Sequence, residues 1–228
     1  MKILILNCDN DENTATNGAS LIQQHLRRLD DVSIDIIPLF LPFAIPDLSS
    51  YSGVIITGSR ASVNENQGWI HSLLAIVRDL DRKGIPTLGI CFGFQVIAKA
   101  LGGDVISSGS FEEGFCSVNP VLQEKAGSLF LGFSSTFLAY QSHGDIVATL
   151  PLGARVLAEN EFSIQAYSLR RFFCVQFHPE ILPQTARQMA RRDGKDEQAL
   201  ISDVPLTYTL PTLIFENFFK EILKLDSK

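Results

Sequence analysis

Short apolar runs alternate with amphipathic stripes over the first hundred residues. Ile3 to Leu6, after Lys2, reads as a buried strand, and Gly18 to Leu29 carries Leu21, Ile22, His25, Leu26 and Leu29 at helical spacing. Val32 to Ile37 predicts a second strand, and Pro38, Pro42 and Pro46 then break up a loop. Gly53 to Thr57 is β-branched and apolar, a strand ending at Gly58. From Trp69, the positions Ile70, Leu73, Leu74, Val77 and Leu80 form one helical stripe that stops at Gly84. Ile85 to Ile90 predicts the next strand, and Val96 to Leu101 the next helix.

Strand and helix in alternation predict an α/β fold: a doubly wound, mostly parallel sheet flanked by helices. Ligands in such sheets bind beyond the carboxyl ends of the strands, where Thr57-Gly58-Ser59 and Gly89-Ile90-Cys91 both fall. After Leu101 the pattern changes. Asp104–Ile106, Phe115–Val118, Arg155–Glu159, Ile164–Tyr167 and Phe172–Phe177 are short β-type runs, which predict an antiparallel or mixed extension rather than a second domain. Pro183–Arg192 and Pro211–Leu225 read as closing helices, with Arg191 to Glu197 an exposed loop between them. The expectation is one domain over residues 1–228.

Composition narrows the class without naming it. A chain of 228 residues with 46% hydrophobic and 19% charged residues is ordinary globular protein. Its net charge of −6 argues against nucleic acid or an anionic membrane as partner. The four cysteines are widely spaced, so neither zinc nor a disulfide framework is expected. The N-terminal apolar run is too short for a signal peptide and no run suits a bilayer span, which predicts a cytoplasmic protein.

The chemistry concentrates in Gly89-Ile90-Cys91-Phe92-Gly93-Phe94-Gln95. A cysteine between a strand and a helix, with glycines two residues to either side, has the layout of a nucleophile elbow. The glycines predict a tight turn and close approach of a substrate carbonyl. The helix start favours thiolate over thiol. Such a nucleophile needs a base and a group that orients it. Of four histidines, His25 reads as partly buried packing and His71 as surface. His178 ends the apolar run Phe172–Phe177 and is followed by Pro179-Glu180, so an imidazole and a carboxylate sit together at a strand end. His143 is a competing base. Cys116 and Cys174 read as small buried residues and Cys8 as a strand-end residue near the cleft.

Gly89-x-Cys91-x-Gly93-x-Gln95 with His178-Pro179-Glu180 downstream resembles the class I, triad-type glutamine amidotransferases, whose fold is flavodoxin-like. Thr57-Gly58-Ser59-Arg60-Ala61-Ser62-Val63 resembles their oxyanion loop, and Gln141-Ser142-His143-Gly144-Asp145 is most like the glutaminase part of GMP synthetase. The resemblance implies that Cys91 is the nucleophile forming a γ-glutamyl thioester, His178 the base and Glu180 its orienting acid. It implies an oxyanion site at the backbone N–H groups of Ser59 and Phe92, and substrate contacts at Gly58, Gln95, Ser142 and His143. It favours His178 over His143 as base and gives Asp145 a supporting role. It calls for no cofactor and no metal. The family's loop commonly reads Gly-Gly-Pro where this chain has Gly58-Ser59-Arg60, which leaves Arg60 either as a solvated arginine or as a partner for a substrate carboxylate.

Three activities remain open on this reading. One is hydrolysis of the glutamine side-chain amide, with ammonia passed to a synthetase partner. Another is the same thioester chemistry on γ-glutamyl peptides or amines. The last is a non-catalytic regulatory module that keeps the fold.

Overall fold

The computed structural model describes residues 1–29, 32–121, 129–201 and 204–222. Its strands are β1 (Lys2–Asn7), β2 (Ser33–Pro38), β3 (Gly53–Ile56), β4 (Thr87–Ile90), β5 (Asp104–Pro120), β6 (Phe137–Thr149), β7 (Arg155–Glu159), β8 (Ile164–Leu169) and β9 (Phe172–Val175). They form one mixed sheet in the order β2-β1-β3-β4-β9-β8-β7-β5-β6. The helices are α1 (Gly18–Leu26), α2 (Gly68–Lys83), α3 (Phe92–Ala100), α4 (Pro183–Asp193), α5 (Glu197–Ile201) and α6 (Leu213–Asn217).

The first five strands of that order run parallel. Alternate side chains of its central strands enter two cores. Leu4, Leu6, Val54 and Ile56 pack with Leu73, Val77 and Leu80 of α2 and Val96 and Ile97 of α3. Ile3, Ile5, Ile55 and Leu88 pack with Ile22 and Leu26 of α1 and with Ile214 and Phe215 of α6. A strand covered on both faces needs apolar residues at every position, which is why these strands read as unbroken runs.

The remaining strands pair antiparallel. β9 belongs to both halves. It reads with the extension in sequence, yet it lies parallel to β4, with Gly89 opposite Cys174 and Ile90 opposite Val175. The runs 104–106 and 115–118 prove to be one strand of 17 residues, β5, which pairs along β6. A register shift between Ser107 and Glu112, with Gly109 at φ 78°, interrupts its alternation.

Helix ends differ from the sequence pattern by a few residues. α1 stops at Leu26 rather than Leu29. α4 runs through Arg191 to Asp193 and is closed by Gly194 in the left-handed conformation, φ 65°, so the expected loop shrinks to 194–196. The predicted closing helix begins as a 3₁₀ turn at Leu210–Thr212 and continues past α6 as a π turn at Phe218–Ile222. Leu225 lies outside the described residues. No described helix is long and apolar enough to cross a membrane.

The loops after β1, β3, β4 and β9 meet at one edge of the sheet. β1 leads to β2 on one side and has β3 on the other, the branching that opens a crevice at the carboxyl ends of the strands.

Candidate active site

Cys91 sits between β4 and α3 with φ 51° and ψ −101°, a backbone conformation that side chains rarely adopt. Strain of this kind costs about 1–3 kcal/mol and persists only where the surroundings impose it. Here the Cys91 N–H donates to Val175 O at 2.8 Å, and the Cys91 carbonyl accepts from Gln95 N at 3.1 Å. The flanking glycines serve packing. A Cβ on Gly93 would stand 2.4 Å from Ile56 O, and one on Gly89 would stand 2.5 Å from Ile97 Cδ1 and 2.7 Å from Gly93 O. Both positions are bare because α3 lies directly on β3 and β4, and that close approach fixes where the turn places the sulfur.

His178 follows β9. Its N–H donates to Tyr140 O at 2.8 Å, and its Nδ1 lies 2.8 Å from Glu180 Oε1. The carboxylate therefore accepts a hydrogen bond from Nδ1–H and leaves Nε2 as the nitrogen free to face the cavity. Burial pulls the imidazole down, but the Cys91 sulfur and the Glu180 carboxylate more than reverse this and hold it well above its ordinary value. Glu180 is 1% exposed, and its backbone carbonyl faces His25 Nε2 at 3.4 Å. His25 stacks on Phe215, so it props the histidine–glutamate turn as well as filling the core. Gly58 is bare for the imidazole's sake, since a Cβ there would stand 2.8 Å from His178 Cε1 and 3.6 Å from Cys91 Cβ.

The loop after β3 closes one side. Ser59 Oγ accepts from Ala61 N at 3.1 Å, which folds its side chain back on its own loop. Phe92 is the first residue of α3, whose first-turn amides have no carbonyl partner within the helix. Ser62 Oγ donates to the Asp145 carboxylate, tying this loop to β6. Arg60 is exposed on the rim, with the Asp193 carboxylate as an electrostatic neighbour.

The opposite wall is Ser142 to Asp145. Cys91 Sγ lies 4.0 Å from Ser142 O. Gln95 is 3% exposed, and its Nε2 donates to Asp145 O at 3.0 Å and to Gln176 Oε1 at 3.2 Å. Both nitrogens of His143 are engaged: Nδ1 lies 3.1 Å from Asp145 O and Nε2 lies 3.0 Å from Glu112 Oε2. That leaves neither nitrogen for Cys91, so the imidazole facing the sulfur is that of His178.

These side chains border a cavity of about 590 Å³. Cys91, Gln95, Gly58, Ser59, Ser142, His143, His178 and Glu180 all line it, as do Phe111, Met189 and Leu200. Among the described residues no group of three His, Cys, Asp or Glu side chains converges as a metal site. The other thiols are set apart: burial pushes Cys174 up to about 12, Cys116 up to about 11, and Cys8 further still. Cys116 is half-buried rather than fully buried. Glu112 and Gln176 carry no local motif and went unnoticed in sequence. Only the pairing of Glu112 opposite His143 brings the former to the wall.

A sulfur on a strained turn, an imidazole held by a carboxylate, and helix-start amides together suit acyl transfer through a covalent intermediate. The family model for class-I glutamine amidotransferases matches residues 14–195. The GMP synthase [glutamine-hydrolyzing] of Aromatoleum aromaticum is 35% identical over 162 residues, covering 66% of this chain and 28% of that protein. That of Streptomyces avermitilis is 30% identical over 177 residues, covering 75% and 32%. The chain thus spans about a third of the length of these curated relatives. In fold it is similar to a glutamine amidotransferase from Thermotoga maritima, with a TM-score of 0.79 and 21% identity over 98% of both chains. It is also similar to one from Methylobacillus flagellatus, with a TM-score of 0.83 and 20% identity over 97% and 95%. Family match, sequence relatives and fold agree with the site's geometry, and the chain belongs to the class-I glutamine amidotransferase family.

Proposed function

We propose that this chain hydrolyses the side-chain amide of glutamine through a γ-glutamyl thioester on Cys91. The observation that carries the reading is the relay itself: a thiol on a strained turn facing an imidazole whose other nitrogen is held by Glu180 at 2.8 Å. The sulfur attacks the amide carbon, and the backbone N–H groups of Ser59 and Phe92 receive the charge that develops on oxygen. His178 gives its proton to the departing nitrogen, the C–N bond breaks and ammonia leaves. His178 then takes a proton from water, whose oxygen attacks the thioester. Glutamate departs and the sulfur recovers its proton. Gly58, Gln95, Ser142 and His143 bound the glutamyl group. Ammonia passes to an acceptor site on a synthetase partner, and residues 1–228 work as one glutaminase domain in the cytoplasm, without cofactor.

The size of the cavity favours a second substrate class for the same chemistry. Even at the roughly 30 Å³ a molecule takes up in liquid water, the ten non-hydrogen atoms of glutamine leave about half of the space unfilled. A γ-glutamyl peptide or amine would place its larger leaving group toward Phe111, Met189 and Leu200. Purified protein is incubated with glutamine or with γ-glutamyl dipeptides, and the release of ammonia, amino acid and glutamate is followed. Turnover of glutamine, abolished in Cys91→Ala and kept in Cys116→Ala, is the expected result. Turnover of dipeptides without glutaminase activity selects the second reading, and full activity in Cys91→Ala overturns both.

A further inference from the structure

Behind the substrate wall lies a circuit of polar side chains, all but the half-buried Asn160 at most 8% exposed. It starts at Gln95, whose Nε2 donates to Asp145 O and Gln176 Oε1. The same Asp145 carbonyl faces His143 Nδ1, and His143 Nε2 faces Glu112 Oε2. Gln165 Nε2 donates to that oxygen at 3.1 Å, and Asn160 Nδ2 donates to Glu112 Oε1 at 2.6 Å. Gln141 Nε2 donates to Gln165 Oε1 at 2.8 Å. The open ends of the circuit, Gln141 Oε1 and Gln176 Nε2, are a buried acceptor and a buried donor.

Polar groups are not buried in such number without a use, because each one left unpaired is costly. Three donors converge on the Glu112 carboxylate, and it is the one acidic side chain in the circuit. Its bond to His143 fixes the imidazole. The imidazole fixes the Asp145 carbonyl, and that carbonyl holds the Gln95 carboxamide by its nitrogen. Among the described residues Glu112 hydrogen-bonds to His143, Asn160 and Gln165 and not to Cys91 or His178. We propose that Glu112 is a positioning residue for substrate binding, anchoring Gln95 and the Ser142–Asp145 wall through His143. This rests on the reading that the wall and Gln95 contact the glutamyl group.

The position separates affinity from chemistry. In Glu112→Gln an amide nitrogen replaces an acceptor among three donors, so one buried bond is lost and the wall loosens. KM for glutamine rises roughly tenfold, the size expected for one charge-assisted bond left unmade. The kcat stays within about threefold of wild type, the signature of lost binding that is uniform between ground and transition state. Alkylation of Cys91 by iodoacetamide, which has no glutamyl group, keeps its wild-type rate. Inactivation by the glutamine-shaped diazoketone 6-diazo-5-oxonorleucine shows a raised KI and an unchanged limiting rate. Glu112→Asp, which keeps the charge, recovers part of the lost affinity. Should Glu112→Gln fail to fold, Gln165→Met removes one donor to the same carboxylate at similar volume and gives the same split at about threefold. A KM within about twofold of wild type in the folded variant overturns the proposal. So does a fall in kcat and in iodoacetamide reactivity with KM unchanged. A wild-type protein that neither hydrolyses glutamine nor reacts with the diazoketone overturns the underlying glutaminase reading, and this proposal with it.

Discussion

The His178 imidazole has two neighbours that favour its charged form, and they are separable by mutation. Glu180 acts on Nδ1 at 2.8 Å, while the Cys91 sulfur acts from the cavity side. Because the folded value is raised above the ordinary 6.5 or so, the stabilisation from this proton is complete below about pH 6.5. It is lost as pH rises through the raised value. Glu180→Gln removes one raising neighbour, so the imidazole titrates at lower pH than in wild type, and NMR titration of the labelled ring measures the difference. A His178 that titrates in Glu180→Gln at or above its wild-type value contradicts this account. These residues were legible in sequence because their chemistry is local: Gly-x-Cys-x-Gly at a strand end, and His-Pro-Glu at another. Glu112 was not. Nothing in Ser107 to Gly114 indicates which glutamate turns inward, because the register shift between Ser107 and Glu112 decides it.

At the level of elements, the glycines around Cys91 are a statement about how closely a helix lies on two strands. A methyl group on Gly93 meets a backbone carbonyl at 2.4 Å, which no side-chain rotation relieves. Gly93→Ala is expected to cost about 3 kcal/mol, the upper part of the range for overpacking, and to lower activity further by lifting the turn. Chemical denaturation and the rate of the folded variant measure the two effects; a variant as stable as wild type shows that α3 has room to move. Most helices and parallel strands were readable because burial on a stripe or on both faces leaves a clean pattern. β5 was not readable as one strand. Its middle residues are largely exposed and its alternation is broken by the register shift, so one element left two unconnected traces. The closing helix was read as continuous for the opposite reason. Its apolar stripe persists through 3₁₀, α and π turns, which differ in hydrogen bonding more than in which residues face the core.

Across the whole molecule, the last strand in the chain stands near the middle of the sheet. β9 pairs with β4 on one side and β8 on the other, and Val175 O receives the Cys91 N–H. Long-range pairings of this kind form late, because the loop between them must close first. Refolding is therefore expected to restore enzymatic activity in the same kinetic phase that protects Cys174, which is fully buried in β9, from thiol labelling. Activity that returns before Cys174 is shielded refutes the link. The same placement sets an order in time. A ribosome adds Cys91 with more than eighty residues still to come before His178 and Glu180 exist. Through that interval Cys91 has neither the His178 imidazole nor the Val175 carbonyl that accepts its N–H and fixes its turn. On the proposed mechanism the thiol is thus switched on by completion of the sheet, and an unfinished chain carries Cys91 as an ordinary cysteine.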